Sequence, residues 1–171
     1  MPHKDLRDFL NKLEAEGELK RIQAEVDWNL ELSHVAKLNE EQQGGSALLF
    51  ENVKGYPGKA VLTSLLTSKK RVALALDMPP DTRFTDIAAQ WVERISGTRI
   101  PPRMVDTGPC QENVLEGDKA NLYDLPAPWV YPKDGGRYVG TAAYLLSRDP
   151  ETGRINLGTY RVMIIDEQKA G

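Results

Sequence analysis

The apolar residues near the N-terminus recur with the spacing of a single helix. Leu6, Phe9, Leu10 and Leu13 would lie on one side of an α-helix, with charged residues on the other side. Gly17 follows the last apolar position and is a natural helix terminator. The pattern predicts an amphipathic helix that packs one face on a core.

A second helical pattern follows, with either Asp27 or Asn29 as its N-terminal cap. Leu30, Val35 and Leu38 are its expected apolar stripe. Both helices precede the first strand-like run of the chain.

Two short apolar runs, 47–50 and 59–66, predict strands. A short helix capped by Ser68 should follow, and its basic run 69–71 is expected to be a solvated face. A further helix is predicted from residue 81 or 82 to Gly97. Six of its residues are expected to face a core: Phe84, Ile87, Ala88, Trp91, Val92 and Ile95.

The pattern of residues along the sequence changes after the paired prolines 101 and 102. The segment that begins at Pro109 opens with a strand candidate and continues as a proline-punctuated stretch with an extended path. Two apolar runs then flank DPETG, 149–153, in which proline presets φ and glycine accepts a positive φ. This predicts a β-hairpin.

The predicted elements define an α+β protein. Residues 1–105 would form an N-terminal mixed α/β lobe, and residues 106–171 would begin a second domain. A sheet of two or three strands with no covering element is poorly stabilised. We therefore expect this sequence to be an N-terminal piece of a longer protein, or a subunit that is completed by another polypeptide.

Composition excludes some classes of function and leaves others open. The 171 residues are 40% hydrophobic and 27% charged, as in soluble globular proteins. The net charge of −3 argues against nonspecific nucleic-acid binding, and the single Cys110 excludes an intrachain disulfide. No signal peptide and no membrane-spanning run are seen, so we expect a cytoplasmic protein without nucleic-acid or membrane partners. Phosphate-loop, dinucleotide-binding, zinc-protease and serine-hydrolase motifs are absent from the sequence.

Four runs, in order and with compatible spacing, resemble the N-terminal part of the UbiD-like decarboxylases: DLRDFLNKLEAEGELKRI, ALLFENVKGYPG, PCQENVLEGDKANLYDLPAPWVYPKDGGRYVGTA and SRDPETGRINLGTYRVMI. Enzymes of that family use prenylated flavin mononucleotide (FMN) to add or remove carboxylate on aromatic and α,β-unsaturated acids. The resemblance implies that residues 106–171 are the opening strands of a split β-barrel that binds prenylated FMN and is incomplete here.

The resemblance assigns roles to four residues of INLGTYRVMII, 155–165. Asn156 matches an asparagine that helps hold a divalent metal, typically Mn²⁺, between the cofactor phosphate and the protein; K⁺ is a further candidate cation. Thr159, Tyr160 and Arg161 match the segment that contacts the prenylated flavin, and Arg161 is the expected catalytic residue. The other metal ligands and the acid/base residues would lie downstream, so we do not expect the 171-residue piece alone to turn over substrate.

The spacing of Asn156 and Arg161 poses a geometric question. A regular strand would point residues five apart to opposite faces. If both contact one cofactor, the ladder must break between them. Gly158, which lacks Cβ, is the expected position of a bulge or of a close backbone approach.

The resemblance also implies partners. They are an aromatic acid substrate and CO₂, a flavin prenyltransferase that supplies the cofactor, and either further copies of the protein in a homo-oligomer or other subunits of a complex. Two alternatives remain open. One is a non-catalytic subunit or assembly module of a decarboxylase or carboxylase complex, and the other is a split-barrel oxidoreductase that uses ordinary FMN.

Overall fold

A computed structural model describes residues 3–42, 44–97, 101 and 103–171. The chain is a mixed α+β protein, as predicted, with one three-stranded sheet of order β1-β2-β3 and one two-stranded sheet, β4-β5. No closed barrel occurs in the described part of the chain. In sequence order the elements are α1 Leu6–Ala15, β1 Leu19–Ile22, α2 Glu31–Glu41, β2 Ala47–Phe50, β3 Val61–Thr63, α3 Lys69–Ala75, α4 Phe84–Ser96, three 3₁₀ turns (Pro109–Gln111, Gly117–Lys119 and Leu122–Asp124), β4 Tyr138–Arg148 and β5 Ile155–Met163.

The chain divides into two compact units, each assembled from three stretches of sequence. The first unit comprises residues 1–21, 39–49 and 62–115, and the second comprises 22–38, 50–61 and 116–171. The predicted functional residues of the β4–β5 hairpin all belong to the second unit.

The first unit is built on the predicted N-terminal helix. Asp5 caps α1 by accepting a hydrogen bond from the Asp8 backbone N–H, and the helix ends before Gly17, which confirms the prediction. Its apolar face enters a buried cluster together with residues of β1, β2 and α3. The cluster consists of Phe9, Leu10, Leu13, Leu19, Ala47 and Leu74.

The basic run at the start of α3 is a solvated face only in part: Lys69 is exposed, but Arg71 is only 1% exposed. Its guanidinium donates to Glu18 Oε2 at 2.9 Å and to the Gly45 carbonyl at 2.8 Å. It also donates to the Leu65 carbonyl and the Thr67 hydroxyl. A buried guanidinium is tolerated when carbonyls and a carboxylate occupy its donors. The helix itself is as predicted, with Ser68 as its cap.

The apolar stripe predicted for the second helix is wrong. In α2 the buried residues are Leu32 and Ala36, whereas Leu38 is exposed. Leu30 precedes the helix with φ of 68°, and its N–H donates to the Trp129 carbonyl. The helix therefore starts one residue after Leu30, and a different set of side chains faces inward.

The apolar face predicted for the fourth helix is present but does not face a core. In α4 only Ile87 is buried, in a small cluster with Ala73 and Met78. Within the described residues, the other large apolar side chains of this face are substantially exposed: Phe84, Trp91, Val92 and Ile95. The periodicity thus predicted the helix correctly but not its environment.

The strand predicted at the start of the segment that begins at Pro109 is also wrong. A 3₁₀ turn, Pro109–Gln111, opens this stretch, and an irregular path follows. Proline provides no backbone donor for a ladder but fits the first position of a helical turn, which explains the outcome. None of the described helices has the length and apolar character needed to cross a membrane.

Candidate functional site

The β4–β5 hairpin confirms the strongest local prediction from the sequence. The strands are antiparallel, and the turn between them is organised by Asp149. The Asp149 carboxylate accepts hydrogen bonds from the backbone N–H groups of Glu151 at 2.8 Å and Thr152 at 2.9 Å. These donors, led by that of Thr152, lower the pKa of Asp149. Gly153 takes the positive φ, 69°, that the turn requires.

The ladder runs without interruption through the segment in which a break was predicted. From Ile155 to Tyr160, each residue of β5 has a partner in continuous register, with Gly158 opposite Leu145. The irregularities lie further along, where β4 contains two more residues than β5 between the pairs Tyr138–Met163 and Ala143–Tyr160. The prediction of a break at Gly158 is therefore wrong, and the bulged strand is β4, opposite Arg161.

A regular β5 places the predicted residues on two faces. Residues 156, 158 and 160 share one face, while 157, 159 and 161 share the other. Asn156 and Tyr160 are thus on one side of the hairpin, and Thr159 and Arg161 are on the opposite side. All four residues are exposed.

The Arg161 guanidinium lies over an aromatic ring of the neighbouring strand. Its Cζ is 5.5 Å from the centroid of Tyr138, within the range of a cation–π interaction. Tyr138 pairs with Met163, so it shares a face with Met163 and with Arg161 two residues earlier. The bulge in β4 thus leaves Tyr138 as the diagonal cross-strand neighbour of Arg161.

Asn156 has an oxygen-bearing neighbour on its own face. Ser147 lies directly opposite it in the ladder, and the side chains of such a pair are adjacent. An amide oxygen and a hydroxyl suit a hard divalent cation, but two neutral oxygens fall short of the six that such ions usually take. No group of three His, Cys, Asp or Glu suitable for a metal occurs among the described residues. The hairpin fits one side of a metal site and needs further ligands.

The residue before Tyr138 is a buried cation in an aromatic cage. Arg137 is 8% exposed, and its Cζ lies 4.0 Å from the Trp28 ring centroid. The rings of Tyr56 and Tyr123 lie at 5.4 and 5.7 Å. No ion pair to Arg137 occurs within the described residues; neutral oxygens hold it instead.

Three neutral oxygens accept the hydrogen bonds of Arg137. Nε donates to the Ala127 carbonyl at 2.7 Å, and Nη2 donates to the Tyr56 hydroxyl at 2.6 Å and to the Leu125 carbonyl at 3.1 Å. The Tyr56 hydroxyl in turn donates to the Tyr123 carbonyl. Through these hydrogen bonds and the contact with the Trp28 ring, the residue before β4 is fixed to the segments around Trp28, Tyr56 and Leu125.

Sequence reasoning missed three residues: Arg137, Tyr138 and Ser147. The run DGGRY, 134–138, carried an arginine and an aromatic residue together, but nothing in the sequence separates a caged arginine from a solvated one. Ser147 could have been found once the hairpin was predicted, because a register fixed by the turn places it opposite Asn156.

The chain belongs to the UbiD family of carboxy-lyases. Residues 10–91 match the family model described as the 3-octaprenyl-4-hydroxybenzoate carboxy-lyase N-terminal domain. Residues 103–171 match the Rift-related domain of the same carboxy-lyase. The resemblance to this family is thereby confirmed.

Two solved structures are similar to this chain over nearly its whole length. Vanillic acid decarboxylase of Sedimentibacter hydroxybenzoicus in its open form is 32% identical, with a TM-score of 0.90 over 99% of this chain and 37% of that one. An evolved dimeric form of the UbiD-class enzyme HmfF of Pelotomaculum thermopropionicum, in complex with prenylated FMN, is 33% identical, with a TM-score of 0.76 over 95% of this chain and 36% of that one.

A protein of Aquifex aeolicus whose function is uncharacterised is 38% identical over 98% of this chain and 37% of its own length. The chain thus spans little more than a third of the relatives it matches. One of them, the HmfF structure, is both a dimeric form and a complex with prenylated FMN.

Proposed function

We propose that the full-length protein is a reversible, non-oxidative carboxy-lyase for an aromatic or α,β-unsaturated carboxylic acid, dependent on prenylated FMN and a divalent metal such as Mn²⁺. The single observation that carries the proposal is the match of this chain, over 95% of its length, to a UbiD-class enzyme in complex with prenylated FMN. The exposed hairpin with Asn156, Thr159, Tyr160 and Arg161 is the proposed contribution of these 171 residues to the site.

The proposed role of Arg161 is to orient the substrate. Its guanidinium is exposed on one face of β5 and can hold a carboxylate by two parallel hydrogen bonds. Thr159 lies on the same face. When bound, prenylated FMN supplies an electron sink for cleavage or formation of the carbon–carbon bond to CO₂. Arg161 would hold the substrate carboxylate in a fixed orientation relative to that bond. The concentration of CO₂ would then determine whether carboxylate is added or removed.

The proposed role of Asn156 is on the other face. There the Asn156 amide oxygen would ligate the divalent metal, which would neutralise the cofactor phosphate. Tyr160 lies on the Asn156 face. Within the described residues β5 has β4 as its one sheet neighbour, and Gly171 exchanges two backbone hydrogen bonds with Met163 on the other edge. From Ile155 to Val162 that edge has no partner strand in the described sheet. A cofactor lying along that edge can reach both faces and can pair with outward-directed backbone groups of Thr159 or Tyr160.

We extend the proposal to the organisation of the whole protein. Residues 1–105 would be the N-terminal lobe, and 106–171 the start of a split barrel completed by residues that follow Gly171. A flavin prenyltransferase would supply the cofactor, and the protein would work as a homo-oligomer or with other subunits. The cytoplasm is its expected compartment.

The test is reconstitution of the full-length protein. Co-expression with a flavin prenyltransferase should give a protein with modified-flavin absorbance that releases CO₂ from members of a panel of aromatic acids. Arg161→Ala should abolish release while the thermal unfolding midpoint stays close to that of the parent. Arg148→Ala, at the other end of the hairpin and also exposed, is the matched control and should retain activity.

Other results would select another function. Equal activity with ordinary FMN would contradict the dependence on prenylated FMN. Reduction of bound ordinary FMN by a substrate, without release of CO₂, would identify the split-barrel oxidoreductase alternative. A full-length protein that binds neither flavin but co-purifies with a decarboxylase would identify the assembly module. Full activity of Arg161→Ala would remove Arg161 from the mechanism.

A further inference from the structure

Two consecutive residues at the start of β4 point to opposite sides and make different contacts. Arg137 enters the aromatic cage formed by Trp28, Tyr56 and Tyr123. The Tyr138 ring lies on the other side, beneath the guanidinium of Arg161. Adjacent residues of a strand alternate in this way.

The aromatic cage holds the side chain of Arg137 in a fixed position. A guanidinium that donates three hydrogen bonds and stacks on Trp28 at 4.0 Å is held in one orientation. The backbone adds a second restraint, because the Ile164 N–H donates to the Arg137 carbonyl at 2.8 Å. The next residue in the sequence, Tyr138, therefore starts from a fixed backbone.

Arg161, by contrast, has a long and exposed side chain. An exposed arginine samples many rotamers, and ordering it costs entropy each time it binds a ligand. An aromatic face within cation–π range stabilises a subset of those rotamers without consuming the N–H donors that a carboxylate requires. Tyr138 offers such a face at 5.5 Å.

We infer that Tyr138 is a positioning residue for Arg161: its ring, held by the anchorage of Arg137, pre-orients the guanidinium that receives the substrate carboxylate. The inference rests on the proposed function of Arg161. It assigns Tyr138 no contact with substrate or cofactor and attributes the effect to the ring, not to the hydroxyl.

The experiment compares ring-retaining and ring-deleting variants of the full-length protein, purified after co-expression with a flavin prenyltransferase. Tyr138→Phe should keep kcat/KM within about twofold of the parent, because a phenyl face also attracts a cation. Tyr138→Leu should lose about fivefold in kcat/KM, the upper end for one cation–π contact at an exposed site. The loss should appear mainly as a raised KM, since carboxylate binding is what pre-orientation favours.

Tyr131→Leu is the matched control, because Tyr131 is an exposed tyrosine of the same unit outside the hairpin; it should behave like the parent. Thermal unfolding midpoints distinguish a misfolded variant from one in which only the Arg161 guanidinium is mispositioned. A Tyr138→Leu protein with the midpoint of the parent and a raised KM supports the inference.

Three results would overturn the inference. A folded Tyr138→Leu protein with the kinetics of the parent would show that the ring is dispensable. Tyr138→Phe as impaired as Tyr138→Leu would assign the effect to the hydroxyl. If the parent releases CO₂ from no acid in the panel, the proposed function fails and the inference fails with it. The first two results leave the proposed function standing.

Discussion

Gly158 lies beneath the aromatic ring of Tyr160 on one face of β5. A Cβ built on residue 158 would come within 2.9 Å of ring Cζ and within 3.0 Å of the hydroxyl oxygen, closer than side chains tolerate. The absence of a side chain at 158 thus allows the Tyr160 ring to lie over this position. This contact explains why residue 158 is a glycine, and the explanation requires no break in the β4–β5 ladder.

Gly158→Ala should therefore displace the Tyr160 ring and loosen the hairpin by about 1 kcal/mol, at the lower end of overpacking effects because an exposed ring can move away. Hydrogen exchange of β4 and β5 amides in the full-length protein measures the local opening free energy. In Tyr160→Ala the same glycine substitution should cost less. A coupling energy near zero between the two substitutions would contradict the contact.

A second prediction concerns the buried cation of the first unit. Arg71→Ala removes one of two cations that pair with Glu18, since Lys70 remains at 3.2 Å, and leaves the Gly45 and Leu65 carbonyls without the Arg71 donor. Because Glu18 keeps a partner, the loss should be about 2–3 kcal/mol, the cost of unsatisfied buried hydrogen-bonding groups. Hydrogen exchange of α1 and β1 amides should report a loss of this order.

Lys69→Ala is the control for Arg71→Ala. Lys69 is the exposed neighbour in the same basic run, so its removal should change the opening free energy by no more than about 0.5 kcal/mol. Equal effects of the two substitutions would mean that the Arg71 network does not stabilise the unit.

Local signals in the sequence were sufficient for α1, α3 and the hairpin, because caps, terminators and turn residues lie within the element that they define. The burial of Arg71 could not be predicted, because its hydrogen-bond acceptors come from residues 18, 45, 65 and 67, which only tertiary structure brings together. The apolar face of α4 was predicted from periodicity, which does not reveal whether the covering element is present.

At the candidate site, by contrast, a rule of local structure is sufficient to place the residues correctly. Strand alternation alone places Asn156 and Arg161 on opposite faces, and the register agrees with it. The expected break came from the assumption that two residues of one site must share a face. That assumption fails for an edge strand, which a ligand can contact from both sides and along its open edge.

A third prediction concerns the metal. In the full-length protein, Asn156→Ala should lower the divalent metal content measured after purification by about tenfold or more, as loss of one ligand commonly does, and cofactor retention should fall with it. Asn156→Asp should retain metal, because a carboxylate is also a hard oxygen ligand.

Ser147→Ala tests the cross-strand neighbour of Asn156 in the same assay. If the hydroxyl orients the Asn156 amide, metal content should fall by a smaller factor than in Asn156→Ala. Asn121→Ala, which alters an exposed asparagine outside the hairpin, is the control. Unchanged metal content in Asn156→Ala would remove Asn156 from the metal site.

A fourth prediction addresses the cage of Arg137. Arg137→Lys keeps the charge but replaces a planar fork by a point charge, so it cannot stack on Trp28 and hold the Ala127 and Leu125 carbonyls together. We expect a loss of about 2–3 kcal/mol in the opening free energy of the segment 122–138. Acrylamide quenching of tryptophan fluorescence should increase as Trp28 becomes accessible. Arg103→Lys, at an exposed position of the other unit, should change neither observable.

The hairpin turn should be sensitive to acid. Backbone donors from Thr152 and Glu151 lower the pKa of Asp149, so the folded turn binds the ionised carboxylate better than the acid. The contribution of Asp149 is complete above the ordinary aspartate pKa of about 4 and is lost as the pH falls through the lower pKa of the folded state. Carboxyl chemical shifts followed by NMR between about pH 6 and pH 2 should show Asp149 titrating below a peptide aspartate. In Asp149→Asn the amide chemical shifts of Glu151 and Thr152 should no longer follow that titration. A wild-type Asp149 with the ordinary aspartate pKa would contradict the hydrogen bonds of the turn.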